Sequence, residues 1–297
     1  MRHLKSIGFA LTSTFAVCLL AAVCPAQSPP IPVYLDHPLR GGVLWIEGGA
    51  GSNNAFVIAE HSVIVIDTKT TIDSEKLTLA ELAKFTNKPI THAIITHSDS
   101  DHVGGLPALP AGITIIAQDY CKKALESATA SGAPGALPKA YLPTHGVDKM
   151  EKLTIDGVRF ELMHATAAHS TGDLFVYLPD QKIGFTGDAY NSRLPGPYIH
   201  IDQGGSAVGW VEEMKLMASV DAELYVTGHG TLAMKPELEH NIAIEERELS
   251  QVKALIAEGK SLEEIHQALG ETTPLHHADG RVLPFYSDYI YQEVTKK

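Results

Sequence analysis

The segment Ala93-Ile94-Ile95-Thr96-His97-Ser98-Asp99-Ser100-Asp101-His102-Val103-Gly104-Gly105 decides how the rest of the chain is read. A short apolar run of the kind that forms a buried strand stops at Thr96, and four side chains able to bind a metal follow within six residues. In an extended or tightly turned segment, positions 97, 99 and 101 point the same way, so one loop presents imidazole and carboxylate from a rigid strand end. Further along, His169 lies in His169-Ser170-Thr171-Gly172-Asp173, Asp188 in Thr186-Gly187-Asp188, and His229 in Thr227-Gly228-His229-Gly230. Each follows an expected strand and sits near glycine, which permits the close backbone approach a metal site needs. Any one of these is weak; the ordered set reads as a metal centre.

Working outward, the apolar runs at 43–47, 55–59 and 63–67 predict an antiparallel meander. Asp73 or Ser74 is expected to cap a helix with Leu79, Leu82 and Ala83 on one face, ending near Asn87-Lys88-Pro89. A strand at 113–117 and a helix from 118 to 130 lead into a Gly/Pro/Ala-rich stretch, 131–143, the best candidate for a lid or insertion. Strands are expected at 159–164, 174–178, 182–185 and 224–227. Trp210, Met214 and Met217 mark a helix packed into the core, 237–257 reads as a long amphipathic helix, and Ser261 with Glu264 forms a capping box.

Composition bounds the function. With 297 residues, 44% hydrophobic and 20% charged, the chain has enough apolar material for a proper core, which excludes disorder and coiled coil. The balance of 35 acids to 23 bases gives a net charge of −12 and argues against nucleic acid as a partner. Three cysteines exclude a disulfide scaffold, whereas 15 histidines leave metal chemistry open.

Arg2 and Lys5 precede an apolar run from Ile7 to Val23, and Cys24-Pro25-Ala26 ends in the small residue a leader peptidase needs. Residues 1–26 therefore read as a secretory signal peptide and 27–297 as the mature single domain, exported to the periplasm or outside the cell. Thr12, Ser13 and Thr14 interrupt the run, so it is short for a spanning helix of about 20 apolar residues, and no stable membrane insertion is expected after cleavage. The mature chain would keep only Cys121, a small buried hydrophobe on this reading.

The ordered ligands make the chain resemble the metallo-β-lactamase fold superfamily, on its glyoxalase II and lactonase-like side, from about Gly42 to the helices after Lys235. That resemblance implies an α/β fold, a four-layer αββα sandwich. The family loop is usually His-x-His-x-Asp-His; here it is His97-x-Asp99-x-Asp101-His102. By resemblance, His97, Asp99 and His169 bind a first metal, Asp101, His102 and His229 a second, and Asp188 bridges them. Asp67 supports the site from behind. The implied cofactors are two divalent ions, zinc first, with iron or manganese admitted by the harder oxygen of Asp99. A water or hydroxide between the ions would be the nucleophile, and Asp101 the catalytic acid of the motif, orienting that water or passing its proton to the leaving group.

The implied activity is hydrolysis of a small-molecule ester, thioester, lactone or similar bond. Two alternatives stand beside it. A His-x-carboxylate-x-Asp loop also occurs in the di-iron flavoproteins of the superfamily, which suggests an iron oxidoreductase; the family's β-lactamases carry cysteine or serine where this chain has Asp188. A decayed binding module is a third reading. Tyr190, Asn191, Arg193, Tyr198 and His200, on the loop after Asp188, are the candidate substrate-binding residues, with Arg193 suited to a carboxylate or phosphate. His145 reads as a surface turn, His92 and His164 as structural, and His276-His277 as solvated or capping.

Overall fold

The computed structural model describes residues 34–276 and 280–296. The expected signal peptide and His277 lie outside the described residues. Two mixed β-sheets stack face to face. The first has seven strands in sequence order: β1 (Tyr34–Pro38), β2 (Val43–Gly48), β3 (Asn54–Ile58), β4 (Val63–Ile66), β5 (Ile90–Ile95), β6 (Thr114–Gln118) and β7 (His145–Val147). The second has six, in the order β13-β12-β11-β10-β9-β8, formed by β8 (Met150–Ile155), β9 (Val158–Met163), β10 (Phe175–Leu178), β11 (Ile183–Phe185), β12 (Leu224–Val226) and β13 (Ala233–Met234). A small hairpin of β14 (Leu275–His276) and β15 (Val282–Leu283) stands apart from both. The helices are α1 (Ile72–Leu82), α2 (Ser100–Val103), α3 (Asp119–Ser131), α4 (Ala207–Ser219), α5 (Lys235–Ala257), α6 (Leu262–Leu269) and α7 (Tyr286–Thr295).

Strand alternation explains the layering. Along β3, β4 and β5, Ala55, Val57, Ile64, Ile66 and Ile94 point between the sheets, against Phe160, Leu162, Val176 and Phe185. Their neighbours Phe56, Val65, Ala93 and Ile95 point the other way, into a core shared with Leu82 of α1 and Cys121 and Leu125 of α3. On the second sheet, Phe175 and Tyr225 face outward under Trp210, Met214 and Met217 of α4, Leu238 and Val252 of α5, and Tyr289 of α7. Strands buried on both faces read as unbroken apolar runs, which is why these were visible in the sequence. The result is the expected αββα sandwich. Among the described residues, no helix is long and apolar enough to cross a membrane.

Four local expectations need correction. The cap of α1 is Thr71, whose hydroxyl accepts from Ser74 N while the Ser74 hydroxyl accepts from Thr71 N, and Asp73 is exposed. The buried side of α1 is Ser74, Glu75, Thr78 and Leu82, with Ala83 exposed, so the packing face is mostly polar. The 131–143 stretch is no insertion: Leu137 fills the outer core and the chain runs on into β7. His145 lies on that strand, 2.7 Å from Glu151, rather than in a turn.

Candidate metal centre

The carboxyl ends of the parallel pairs β4/β5 and β11/β12 gather at one rim of the sandwich, and each strand hands over a functional residue there. Asp67 follows β4 with φ +54°, a left-handed conformation that costs a non-glycine residue about 1–3 kcal/mol. Its carboxylate accepts from Thr96 N (2.8 Å), Thr96 Oγ1 (2.6 Å) and His102 Nδ1 (2.9 Å), which offsets that cost and fixes the start of the ligand loop. His97 follows β5, and α2 carries Asp101 and His102. Asp188 follows β11 and His229 follows β12. The loop after β9 presents His169; Asp173 holds it by accepting from Ser170 N and Oγ. Gly228 is required by close approach, since a Cβ there would lie 1.9 Å from Asp188 Oδ1.

The seven ligands expected from the sequence come together. Asp99 Oδ2 lies 3.6 Å from His97 Nε2 and 3.3 Å from His169 Nε2. His229 Nε2 lies 3.1 Å from Asp101 Oδ2 and 3.3 Å from Asp188 Oδ2, while Asp188 Oδ1 lies 3.2 Å from His102 Nε2. Three overlapping groups, His97/Asp99/His169, Asp101/His102/His229 and His97/His102/Asp188, each keep their ligand atoms within 4.8 Å of one another.

The far side of each ring is anchored. Thr96 Oγ1 gives its only proton to Asp67, so at 3.1 Å it can only accept from His97 Nδ1. His102 Nδ1 is bound by Asp67, and His169 Nδ1 donates to Tyr198 O at 2.7 Å. Anchoring of this kind leaves the Nε2 lone pairs facing inward, as metal ligands require.

The donor set fits divalent cations. His97 Nε2, His102 Nε2 and Asp188 Oδ1 are buried and make no hydrogen bond; the 3.2 Å contact between the last two is too poorly aligned to be one. Buried polar atoms left unpaired cost about 1–3 kcal/mol each unless something else binds them. Without ions, protons must balance the carboxylates. Burial disfavours the charged His102 imidazole, yet Asp67 and Asp188 outweigh it and hold its pKa well above the ordinary value. Burial also opposes charging of His169 and His229, but the Asp99 hydrogen bond on the first and the charge of Asp188 on the second push each up to about 9. The same imidazoles hold Asp99 and Asp188 well below the carboxylate range despite burial.

Above the ligands opens a cavity of about 990 Å³ whose wall includes Asp99, Asp101, Asp188 and His229 together with Asn191, Arg193, Tyr198 and His200. Tyr190, grouped with these in the sequence reading, is not part of that wall: its hydroxyl meets Asn241 of α5 and its ring packs against the α4/α5 core. His200 stands closer than expected, its Nε2 3.6 Å from Asp99 Oδ2. Gln203 was not foreseen at all. Its Nε2 donates to Asp99 Oδ1 at 2.7 Å, a contact across 104 positions that no local pattern announces. Leu125 and Ala128 of α3 also line the cavity.

A two-sheet sandwich with helices outside and a His/Asp cluster at one rim is a metal-binding scaffold. The sequence profile of the metallo-β-lactamase superfamily matches residues 48–229, and the chain belongs to that superfamily, whose members bind divalent metals, typically zinc. The 2,4-dinitroanisole O-demethylase subunit alpha of Nocardioides sp. (strain JS1661) is 27% identical over 210 residues, covering 68% of this chain and 61% of that one. A sec-alkylsulfatase from Pseudomonas sp. superposes with a TM-score of 0.69 at 16% identity, over 89% of this chain and 50% of that one. A metallo-β-lactamase from Pontibacter korlensis gives 0.59 at 16% identity, over 72% and 99%. The match thus spans about half to three fifths of the first two relatives.

Proposed function

We propose that the protein is a metal-dependent hydrolase that cleaves an ester, thioester, lactone or related bond in a small molecule. The observation that carries this reading is the convergence of four imidazole Nε2 atoms and three carboxylates around buried atoms with no hydrogen bond, at the floor of an open cavity. His97, Asp99 and His169 would hold one ion and Asp101, His102 and His229 a second, with Asp188 adjacent to both sets. Bound divalent ions at such a centre supply an activated water and a Lewis acid for the substrate oxygen.

The chain's own groups do the rest. Asp101 has the most exposed of the three carboxylates that line the cavity, 30% against 15% for Asp99 and 9% for Asp188. Burial raises its pKa, but the His229 hydrogen bond and the charge of His102 win and lower it. At neutral pH it is therefore an acceptor that orients a proton of the attacking water and can take it up for the leaving group. Asp67, Thr96 and Tyr198 O hold the imidazoles in the required tautomers. Export through residues 1–26 is part of the reading, and mass spectrometry of the mature protein should find Gln27 first.

The relatives set the breadth of the test: O-demethylase, alkylsulfatase and β-lactamase chemistry on one superfamily fold. One panel of lactones, thioesters, carboxylic, phosphate and sulfate esters, aryl methyl ethers and β-lactams is to be run with zinc, manganese and ferrous iron. His102→Ala is the blank. At least one bond class should be cleaved with a loss of 10³-fold or more in the variant, on the order expected for a disabled metal centre. Turnover that survives in His102→Ala overturns the site assignment, and bound iron with a visible band but no hydrolysis favours the oxidoreductase reading.

A further inference from the structure

The wall of the cavity is divided by charge and polarity. Its carboxylates, Asp99, Asp101 and Asp188, all belong to the metal centre. Arg193 brings a cation, and among the described residues no carboxylate lies within 4.0 Å of its guanidinium. Its backbone is fixed. Ser192 N donates to His229 O at 3.1 Å, Ser192 Oγ to Thr231 O at 3.0 Å, and Arg193 N to Asn191 Oδ1 at 3.0 Å. Gly230, at φ +92°, leaves room for the stem, because a Cβ there would stand 3.0 Å from Arg193 Cγ. Arg193 is thereby seated next to the metal ligand His229.

The part of the wall that α3 supplies is different. Ala124, Leu125 and Ala128 of α3 lie at spacings that share one helix face, and they offer a substrate no hydrogen-bonding side chain. Leu194 and Tyr198 continue the apolar surface beside Arg193. At about 990 Å³, the cavity is at the upper end of the range for small-molecule sites, larger than a reacting centre alone needs.

We propose that the substrate is an anion with an apolar arm: Arg193 binds a carboxylate, sulfate, sulfonate or phosphate oxygen, and the arm lies on the Ala124/Leu125/Ala128 face of α3. This rests on the hydrolytic reading and narrows it. The guanidinium fork matches the paired oxygens of such groups, and each buried methylene strengthens binding by up to about fourfold.

The test uses ligands that cannot be hydrolysed, so binding is read separately from turnover. Octanoate, octane-1-sulfonate and octan-1-ol, with their four- and six-carbon homologues, are titrated calorimetrically into the zinc-loaded protein, its Arg193→Gln variant and its Ala128→Glu variant. Thermal unfolding verifies that both variants are folded. Both anions should bind at least tenfold more tightly than the alcohol and tighten with chain length. Arg193→Gln should erase the preference for the anion, and Ala128→Glu should flatten the dependence on length. Binding of octanoate but not of the sulfonate would identify carboxylates as the source of the charge. Equal affinity for the alcohol, an unchanged Arg193→Gln variant, or no gain with chain length overturns the proposal. Cleavage of neutral esters with no response to charge removes the proposal and leaves the hydrolase; the expected binding with no cleavage of any bond does the reverse.

Discussion

Asp99 is the residue at which this centre departs from the usual superfamily motif, and its surroundings state what the departure does. Gln203 Nε2 takes Oδ1, while Oδ2 faces His97, His169 and His200 at 3.6, 3.3 and 3.6 Å. Oδ2 is the oxygen turned toward the imidazoles, so Asp99 would offer a metal chiefly that oxygen, with the carboxylate oriented by a glutamine. Gln203 is itself tied to the His169 loop, because its carbonyl accepts from Thr171 N and Thr171 Oγ1. Removing an outer partner of a ligand typically costs 10–100-fold in metal affinity. Gln203→Ala should therefore weaken the His97/Asp99/His169 site by about that factor and leave the other site unchanged, measured by competition with a chromophoric chelator at one and two equivalents of zinc. Asp99→His should act differently, raising selectivity for zinc over manganese and ferrous iron as a hard oxygen gives way to nitrogen. Equal metal content of the two proteins after growth in mixed metals would refute that.

At the scale of elements, a short loop couples the two ligand-bearing rims. Between β2 and β3, Ser52 N and Oγ donate to Asp101 O, Asn53 N donates to Gly228 O, and Asn53 Nδ2 donates to Thr227 O and Gly230 O. The loop thus grips the backbone at Asp101 and around His229, two residues that would hold the proposed second ion. Lys69 holds it from inside. This lysine is fully buried and donates to Gly48 O and Ser52 O, and burial lowers its pKa to about 8 although Glu75 opposes the shift. Lys69→Met would leave the buried Ser52 carbonyl without its donor, at about 1–3 kcal/mol, and free the half-buried Gly48 carbonyl as well. The expected result is a lower unfolding temperature together with a loss of zinc affinity confined to the Asp101/His102/His229 site. Equal weakening of both sites would mean that Lys69 supports the fold and not the loop.

The ligand-bearing strands were readable because burial on both faces forces an apolar run, and the handover residues follow that run directly. The polar face of α1, the Lys69–loop contacts and Gln203 were not, because polar residues acquire burial and partners only through contacts many positions away. The place of Tyr190 is illegible for the same reason, since nothing local distinguishes a tyrosine turned toward α5 from one turned toward the cavity.

For the whole molecule, the metal centre is also where stability and pH meet. In the ion-free protein His169 and His229 titrate at about 9, above the ordinary histidine value of 6.5, so the folded state binds their protons more tightly than the unfolded chain does. That contribution is complete below about pH 6.5 and is lost as pH rises through about 9. Zinc needs the same Nε2 atoms deprotonated, so its binding strengthens across that window. Lys69, lowered to about 8, and Glu75, raised to about 7 chiefly by burial, also titrate there, but they lie outside the ligand set and act on both forms. The quantity to follow is therefore the difference in unfolding temperature between zinc-loaded and chelator-treated protein. It should widen steadily from pH 6.5 to 9, by several degrees in all for a domain of this size. His169→Gln, which carries no titrating imidazole, should remove part of the widening. A difference that is constant with pH would mean that protons do not stand in for the ions among the three carboxylates, and the charge balance inferred for the centre would be wrong.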